Sequence, residues 1–378
     1  MPIKAIHQIA PVFACGDAIG NQMFQIRERL RRWGIPSQVY AGGRDARLED
    51  PGEVYHSYRG DPNHMLIYHY STQSSLTSFV QHLPNQVVVY YHNITPPEFF
   101  APYDATFAAK LAQGRQEVAL FKDAPVAWAG SAFNRRELLD IGFSNVDVVP
   151  YFLLLDHLVK AARTATAQRL VECYSDGWTN WLFVGRLAPN KRQCDVIRAF
   201  THYHRNINPR SRLFLVGSDG GLPAYRFELE ALAAHTVPEH IYLPGAVSLE
   251  TLAGHYRIAS VYVSMSEHEG FGIPLLEAMN FDIPVLAFKA AAVPDTLGGA
   301  GVLVNEKRYD IIAEMVEMLV KDQHLRQSVI QKQRKRLAQL APQEAEITLR
   351  KVVQDLDMHY RKFENTLDND EGRYEQSN

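Results

Sequence analysis

The sequence predicts an α/β protein made of two doubly wound, Rossmann-like units. Three observations predict it. Short β-like runs alternate with amphipathic helical stretches along almost the whole chain, the rhythm of parallel sheets covered by helices on both faces. The rhythm stops once, over "LDHLVKAARTATAQRLVECYSDG" at 155–177, and then restarts. A chain of 378 residues also exceeds what one hydrophobic core ordinarily serves.

In the first half, strands are expected at 3–10, 37–41, 65–70, 86–91, 126–130 and 146–150, with helices at 21–33, 74–82, 104–121 and 134–141. In the second half, strands are expected at 179–187, 212–218, 240–245, 260–265, 283–288 and 301–304. The division that follows is a first Rossmann-like domain over 1–155, a linker over 156–177 and a second Rossmann-like domain over 178–342. A C-terminal helix over 343–364 has no strand after it and is expected either to stay on its own domain or to cross back to the first. The polar tail, 365–378, is expected to be mobile.

Composition narrows the function classes. Apolar residues make up 46% and charged residues 21%, which is globular, and a net charge of −3 argues against a dedicated nucleic-acid binder. Cys15, Cys173 and Cys194 are far apart and odd in number, so they form neither a disulfide framework nor a metal spacing and suit a reducing cytosol. The N-terminus reads as a strand and not as a signal peptide, and no apolar run reaches the roughly 18 residues of a spanning helix. A cytoplasmic location is expected, with any membrane contact peripheral and at the inner face of the cell membrane.

The most informative stretch is "SEHEGFGIPLLEAMNFDIPVLAF", 266–288. Pro274 suits the first position of a helix, since its missing N–H is not needed there. The loop Glu269, Gly270, Phe271, Gly272 therefore lies between a strand end and a helix N-terminus, where ligands bind in open parallel sheets and where free N–H groups favour anions. Glu277 is one turn inside the helix, and its side chain leans back toward the same mouth. Two carboxylates there suit hydroxyl groups, because an ionised carboxylate only accepts hydrogen bonds. Two glutamates alone are also an ordinary response to the helix dipole. The whole pattern E-G-F-G-x-P-x-x-E is what marks a ligand with a hydroxyl-rich part and an anionic part.

This pattern resembles the E-x7-E motif of retaining glycosyltransferase family 4, and the resemblance extends over most of the chain, most clearly from about 180 to 305. It implies a GT-B fold, with two Rossmann-like domains facing a central cleft. It implies that Glu277 holds the ribose of a nucleotide, that Glu269 contacts hydroxyls of a donor sugar, and that the backbone at Gly270, Phe271 and Gly272 lies against sugar and diphosphate. "FVGRLAPNKRQ" at 183–193 matches the family's G-R-L-x-x-x-K diphosphate motif through Gly185, Arg186 and Lys191. Read physically, Asn190 can cap the next helix, which leaves Lys191 at its first position, a cation opposing the dipole until a phosphate lies between them. A backbone amide near Val247, after a further strand, can read the base, although that loop also reads as a plain turn.

In the first domain, His92 follows the strand "VVVYY" at its carboxyl end, where it can donate to a sugar hydroxyl or the departing oxygen, and the family has a histidine at this position. His69 ends another strand and is read either as a packing residue or as an acceptor-cleft residue. Gly16 and Gly20, with Asp17 and Asn21, make a helix-start loop that departs from the family's commoner G-G form. "QIRERLRRWG" at 25–34 and "QKQRKRL" at 331–337 are read as solvated basic faces, the alternative for the first being an anionic lipid surface. His268 has no role in this reading.

The reaction implied is transfer of a hexose from a GDP- or UDP-linked donor to a hydroxyl of a saccharide or lipid-linked acceptor, with retained configuration, in polysaccharide or glycolipid assembly. His92, Glu269, Arg186 and Lys191 form the catalytic set, and neither a metal nor a further cofactor is expected. A nucleotide-sugar epimerase of the same fold and a non-catalytic nucleotide-sugar-binding subunit are the alternatives.

Overall fold

The structure is a computed structural model that describes residues 3–14 and 17–375, with the backbone alone described at 357 and over 360–375. The chain divides into two compact units. Unit 1 comprises Met1–Ile94, Ala109–Phe152 and Ala341–Asn378, and unit 2 comprises Thr95–Ala108 and Leu153–Leu340.

Unit 1 is built on a seven-stranded sheet in the order β3-β2-β1-β4-β5-β6-β7. The strands are β1 (Ala5–Phe13), β2 (Val39–Arg44), β3 (Glu53–Val54), β4 (His64–Tyr70), β5 (Gln86–Tyr91), β6 (Ala127–Ala129) and β7 (Val146–Val148). Every pairing is parallel. β1 and β4 are buried almost throughout, as helices on both faces require, which is why they read as continuous apolar runs. The two-residue edge strand β3 is exposed and polar, and it had no legible pattern.

Unit 2 is a six-stranded sheet, β10-β9-β8-β11-β12-β13. Its strands are β8 (Thr179–Val184), β9 (Ser211–Val216), β10 (Ile241–Gly245), β11 (Val261–Ser264), β12 (Val285–Phe288) and β13 (Val302–Val304). All pairings are again parallel. Numbered from its own first strand the order is 3-2-1-4-5-6, that of a dinucleotide-binding sheet, with the reversal between β8 and β11.

Two segments differ from expectation. The expected linker, 156–177, is instead part of unit 2: it forms the helices Asp156–Ala161 and Ala165–Tyr174, and Leu158, Ala161 and Ala162 enter that unit's core. It lacks a strand pattern because it is helical. Thr95–Ala108 also packs with unit 2 although it follows β5 in sequence. The last helix, Pro342–Glu375, takes in most of the expected tail and belongs to unit 1. Ala345, Leu349, Val352, Val353 and Leu356 form one helical stripe and pack with Ile26, Leu30 and Trp128.

The basic helix Ala18–Arg32 is a solvated face only in part: Arg31 and Arg32 are exposed, whereas Arg27 and Arg29 are buried. Arg27 is 1% exposed and pairs with Asp50 at 3.1 Å. Arg29 donates to Glu346 of the last helix at 3.0 Å and lies 3.8 Å from the centroid of Phe152. Arg31 also pairs with Asp50 at 3.1 Å, but both side chains are 39% exposed, so the helix buries two of its four arginines, Arg27 and Arg29. In the second basic run, Arg334 pairs with Asp282 at 2.5 Å and Arg336 donates to the carbonyls of Thr296 and Asp295. Among the described residues no helix is long and apolar enough to cross a membrane.

Removing one partner of a sheltered ion pair strands the other. Arg29→Ala is therefore expected to lower the unfolding free energy by about 3 kcal/mol. Arg32→Ala, whose side chain is 60% exposed, is expected to change it by less than about 0.5 kcal/mol. Urea midpoints of the two variants against wild type check this.

Candidate donor site in unit 2 and a buried histidine pair in unit 1

The carboxyl ends of β8 and β11 lie side by side at the strand-order reversal of unit 2. The loop after β8 carries Gly185, Arg186 and Lys191, and the loop after β11 carries Glu269, Gly270, Phe271 and Gly272. Sequence-distant candidates are thus brought together by topology.

Lys191 Nζ and Glu269 Oε2 form an ion pair. The residues on either side are joined as well. Asn190 Nδ2 donates to the carbonyl of His268 at 3.0 Å, and the Glu267 N–H donates to the carbonyl of Asn190 at 2.9 Å. Arg192 Nε lies 3.3 Å from Glu267 Oε1. Asn190 therefore does not cap the following helix, and Lys191 is not that helix's first residue. Pro189–Lys191 forms a single 3-10 turn, Arg192 adopts left-handed backbone with φ 53°, and the helix begins afterwards as Gln193–Asn206. The proline and the pairing of both flanking residues with the second loop select this turn over a direct helix start.

Behind the turn is a charge cluster that the sequence reading missed. Asp195 is fully buried, pairs with Lys307 at 2.8 Å and accepts from Tyr309 at 2.9 Å. Lys307 lies 2.5 Å from Glu267, and Arg192 lies 3.1 Å from Asp195. Burial alone would raise the Asp195 carboxyl, but the bond from Lys307 and the surrounding positive charge outweigh it and its pKa is lowered. Asp195 stands in the first turn of an amphipathic helix, where an acidic residue looks ordinary, and Lys307 is 112 residues away. No local signal connects them.

Arg186 extends from the end of β8, with its Cζ 5.8 Å from the centroid of Phe100 in the Thr95–Ala108 segment. It has no ion-pair partner among the described residues, and desolvation lowers its pKa. Gly220 adjoins its stem: a Cβ there would lie 2.2 Å from Arg186 Cδ. Gly272 caps the next helix, Ile273–Asn280, with φ 93°, a conformation that glycine adopts without strain. Pro274 is consequently second and not first in that helix. The carbonyls of Glu269 and Phe271 are turned away, the first accepting from Ala292 N at 3.2 Å and the second from Thr296 Oγ1.

Glu277 is held from the side by Tyr256, whose hydroxyl donates to Oε2 at 2.6 Å. Burial pushes the Glu277 carboxyl up, and the bond from Tyr256 opposes this. Phe271 is partly buried against the unit's core, as is Val247 two residues beyond β10. His268 is 5% exposed and its ring lies 6.4 Å from that of Phe99.

In unit 1, His92 and His69 form one buried chain. Gln8 Nε2 donates to the Met23 carbonyl at 3.0 Å, which turns its Oε1 toward His69 Nε2 at 2.9 Å. His69 Nε2 must then carry the proton, so Nδ1 accepts from His92 Nε2 at 2.8 Å. His92 Nδ1 in turn accepts from the Tyr151 hydroxyl at 2.7 Å. Both ring nitrogens of His92 are therefore engaged inside unit 1. The expected donation from His92 to a sugar hydroxyl is not offered by this ring, and burial holds its pKa well below the usual histidine value. His69 is a link in the same chain. Gly20 lies in the first turn of Ala18–Arg32 and its N–H donates to Asp17 at 3.2 Å, while Gly16 falls outside the described residues.

Comparison with known proteins agrees with this architecture. Residues 179–336 match the family model described as glycosyl transferases group 1. The chain is 26% identical over 159 residues to O-antigen chain mannosyltransferase B of Escherichia coli, covering 42% of this chain and 41% of that protein. It thus spans about two fifths of the length of the curated relatives it matches. Sucrose-phosphate synthase from Thermosynechococcus elongatus has the same fold, with a TM-score of 0.72 at 16% identity over 94% of this chain and 99% of that one. The HepE protein of Anabaena, crystallised in complex with UDP, gives a TM-score of 0.68 at 16% identity over 93% and 100%. The fold is GT-B, two parallel-sheet α/β domains in one chain.

The histidine pair sets a pH dependence. Burial lowers the pKa of His69 to about 3, whereas an unfolded histidine takes up its proton near 6.5. The unfolded chain then binds the extra proton between these values. The pair's contribution is complete above about pH 6.5 and is lost as the pH falls, by up to about 1.4 kcal/mol per pH unit for each histidine. Urea midpoints at pH 7 and pH 5 check this, with His69→Gln expected to show the shallower dependence.

Proposed function

We propose that this protein is a glycosyltransferase that moves a hexose from a GDP- or UDP-linked donor to a hydroxyl of a saccharide or lipid-linked acceptor, with retained anomeric configuration. The observation that carries the proposal is the meeting, at the strand-order reversal of unit 2, of two cations and two carboxylates of complementary use. Among the described residues Arg186 is a cation without a carboxylate partner, and Lys191 stands on the turn that follows it in the same loop. Glu269 and Glu277 stand at the mouth and one turn inside the helix Ile273–Asn280. The match of residues 179–336 to the glycosyl transferases group 1 model supports the same reading.

In this proposal the nucleotide lies across the carboxyl ends of β8 and β11. Glu277 accepts from the ribose hydroxyls and Glu269 from the sugar. Arg186, Lys191 and the helix N-terminus take the charge of the diphosphate, which grows as the glycosidic bond breaks, so these groups lower the barrier electrostatically and not as nucleophiles. The transition state is oxocarbenium-like, and the departing phosphate oxygen accepts the acceptor's proton on the same face. Neither a metal nor His92 is given a step. The acceptor is assigned to unit 1, and the product to polysaccharide or glycolipid assembly.

A thermal-shift screen of UDP, GDP and their hexose conjugates identifies the donor, since a ligand at a hundred times its Kd stabilises by about 2.7 kcal/mol. With that donor, Arg186→Ala and Lys191→Ala are each expected to cut turnover at least about a hundredfold, as loss of a transition-state charge contact does, while staying folded by circular dichroism. Wild-type turnover in both variants would sink the assignment.

A further inference from the structure

We propose that Asn190 is a positioning residue that fixes the placement of Lys191 against Glu269 and thereby the affinity for the diphosphate of a bound nucleotide. The proposal rests on the donor-site reading above. Asn190, Lys191 and Arg192 all engage the three consecutive residues opposite: Asn190 meets Glu267 and His268, Lys191 meets Glu269, and Arg192 meets Glu267. Asn190 is the neutral member and holds twice, through its carbonyl to the Glu267 N–H at 2.9 Å and through Nδ2 to the His268 carbonyl at 3.0 Å. These bonds are buried, since Asn190 is only 3% exposed, whereas the Lys191 and Glu269 side chains keep 21% and 13% exposure. The contacts that water and ions weaken least are thus those of Asn190.

Its amide has one allowed orientation. Turning it over would set Oδ1 against the His268 carbonyl, two acceptors at 3.0 Å. In the orientation present, Oδ1 is buried with no donor among the described residues. An apolar side chain of similar size would remove that unpaired oxygen but would also take this donor from the His268 carbonyl, so the two effects on stability oppose each other. What the asparagine adds is the bond to His268, next to Glu269. Arg192, in left-handed backbone, and the Asp195–Lys307–Glu267 cluster support the same turn from behind. The β8 loop is therefore pinned on both sides of Lys191, and a nucleotide phosphate meets an ammonium group whose position is set before it arrives.

Titration calorimetry on the full chain, with UDP, GDP, UMP and GMP as probes, tests this. Asn190→Leu is expected to bind the diphosphate that wild type binds about tenfold more weakly, and the matching monophosphate within about twofold, with an unchanged melting temperature. Equal weakening of both nucleotides would show a merely structural residue and overturn the proposal, as would wild-type affinity for the diphosphate. Asn190→Ala, which removes the donor to His268 without adding a charge, is the second variant should the leucine fail to fold, and the same outcomes apply. Arg186→Ala separates the two readings: if it loses diphosphate affinity while Asn190→Leu and Asn190→Ala do not, only this inference fails. If Arg186→Ala binds as wild type, or wild type binds neither diphosphate, the donor site itself is wrong.

Discussion

The loop after β8 is joined to the loop after β11, and the rest of the candidate site depends on that junction. A parallel sheet whose order reverses between two strands leaves their carboxyl ends adjacent with no helix crossing between them. Here those ends carry Arg186 and Lys191 on one side and Glu269 on the other, and a direct hydrogen-bond and ion-pair ladder holds them together. In the proposed function, opposite charges at that point serve two ends of one ligand, with carboxylates accepting from hydroxyls, cations meeting phosphate oxygens and the intervening backbone supplying N–H groups. The cluster of Asp195, Lys307 and Glu267 consumes the other nearby charges within the protein. Among the described residues, Arg186 is left with no carboxylate of its own.

Unit 1 handles polar groups differently. Its histidines are wired into a buried chain whose hydrogen-bond directions are fixed at one end by Gln8 and Met23. A chain that ends on an amide carbonyl cannot pass a proton onward, so it acts as a lock on the ring positions and not as an acid or base. The arginines of Ala18–Arg32 follow the same logic. They look like a surface patch in sequence, yet Arg27 and Arg29 serve as internal ties to Asp50 and to Glu346 on the last helix.

The architecture was legible because its signals are local. Buried parallel strands read as apolar runs, and twelve of the thirteen strands fall where such runs stand, β3 being too short and too polar. The linker was misread because amphipathic helices without neighbouring strands look like connection. The two motif loops were legible as residue types at set spacings, and their meeting followed from the fold class. What could not be read was any feature that requires two distant segments in register. Asn190 has the look of a helix cap, and only the structure shows it bonded to His268, 78 residues away. His92 stands where a cleft residue is expected, and only the hydrogen bonds at both ring nitrogens show that it is occupied.

The central claim is that unit 2 binds a nucleoside diphosphate with its ribose at Glu277 and its phosphates at Arg186 and Lys191. A crystal structure of the full chain with UDP or GDP tests it most directly. The account predicts density across the carboxyl ends of β8 and β11, with ribose oxygens within hydrogen-bond distance of the Glu277 carboxylate and phosphate oxygens at Arg186 and Lys191. A nucleotide bound elsewhere, or bound there in the reverse sense with its phosphates toward Glu277, would contradict it.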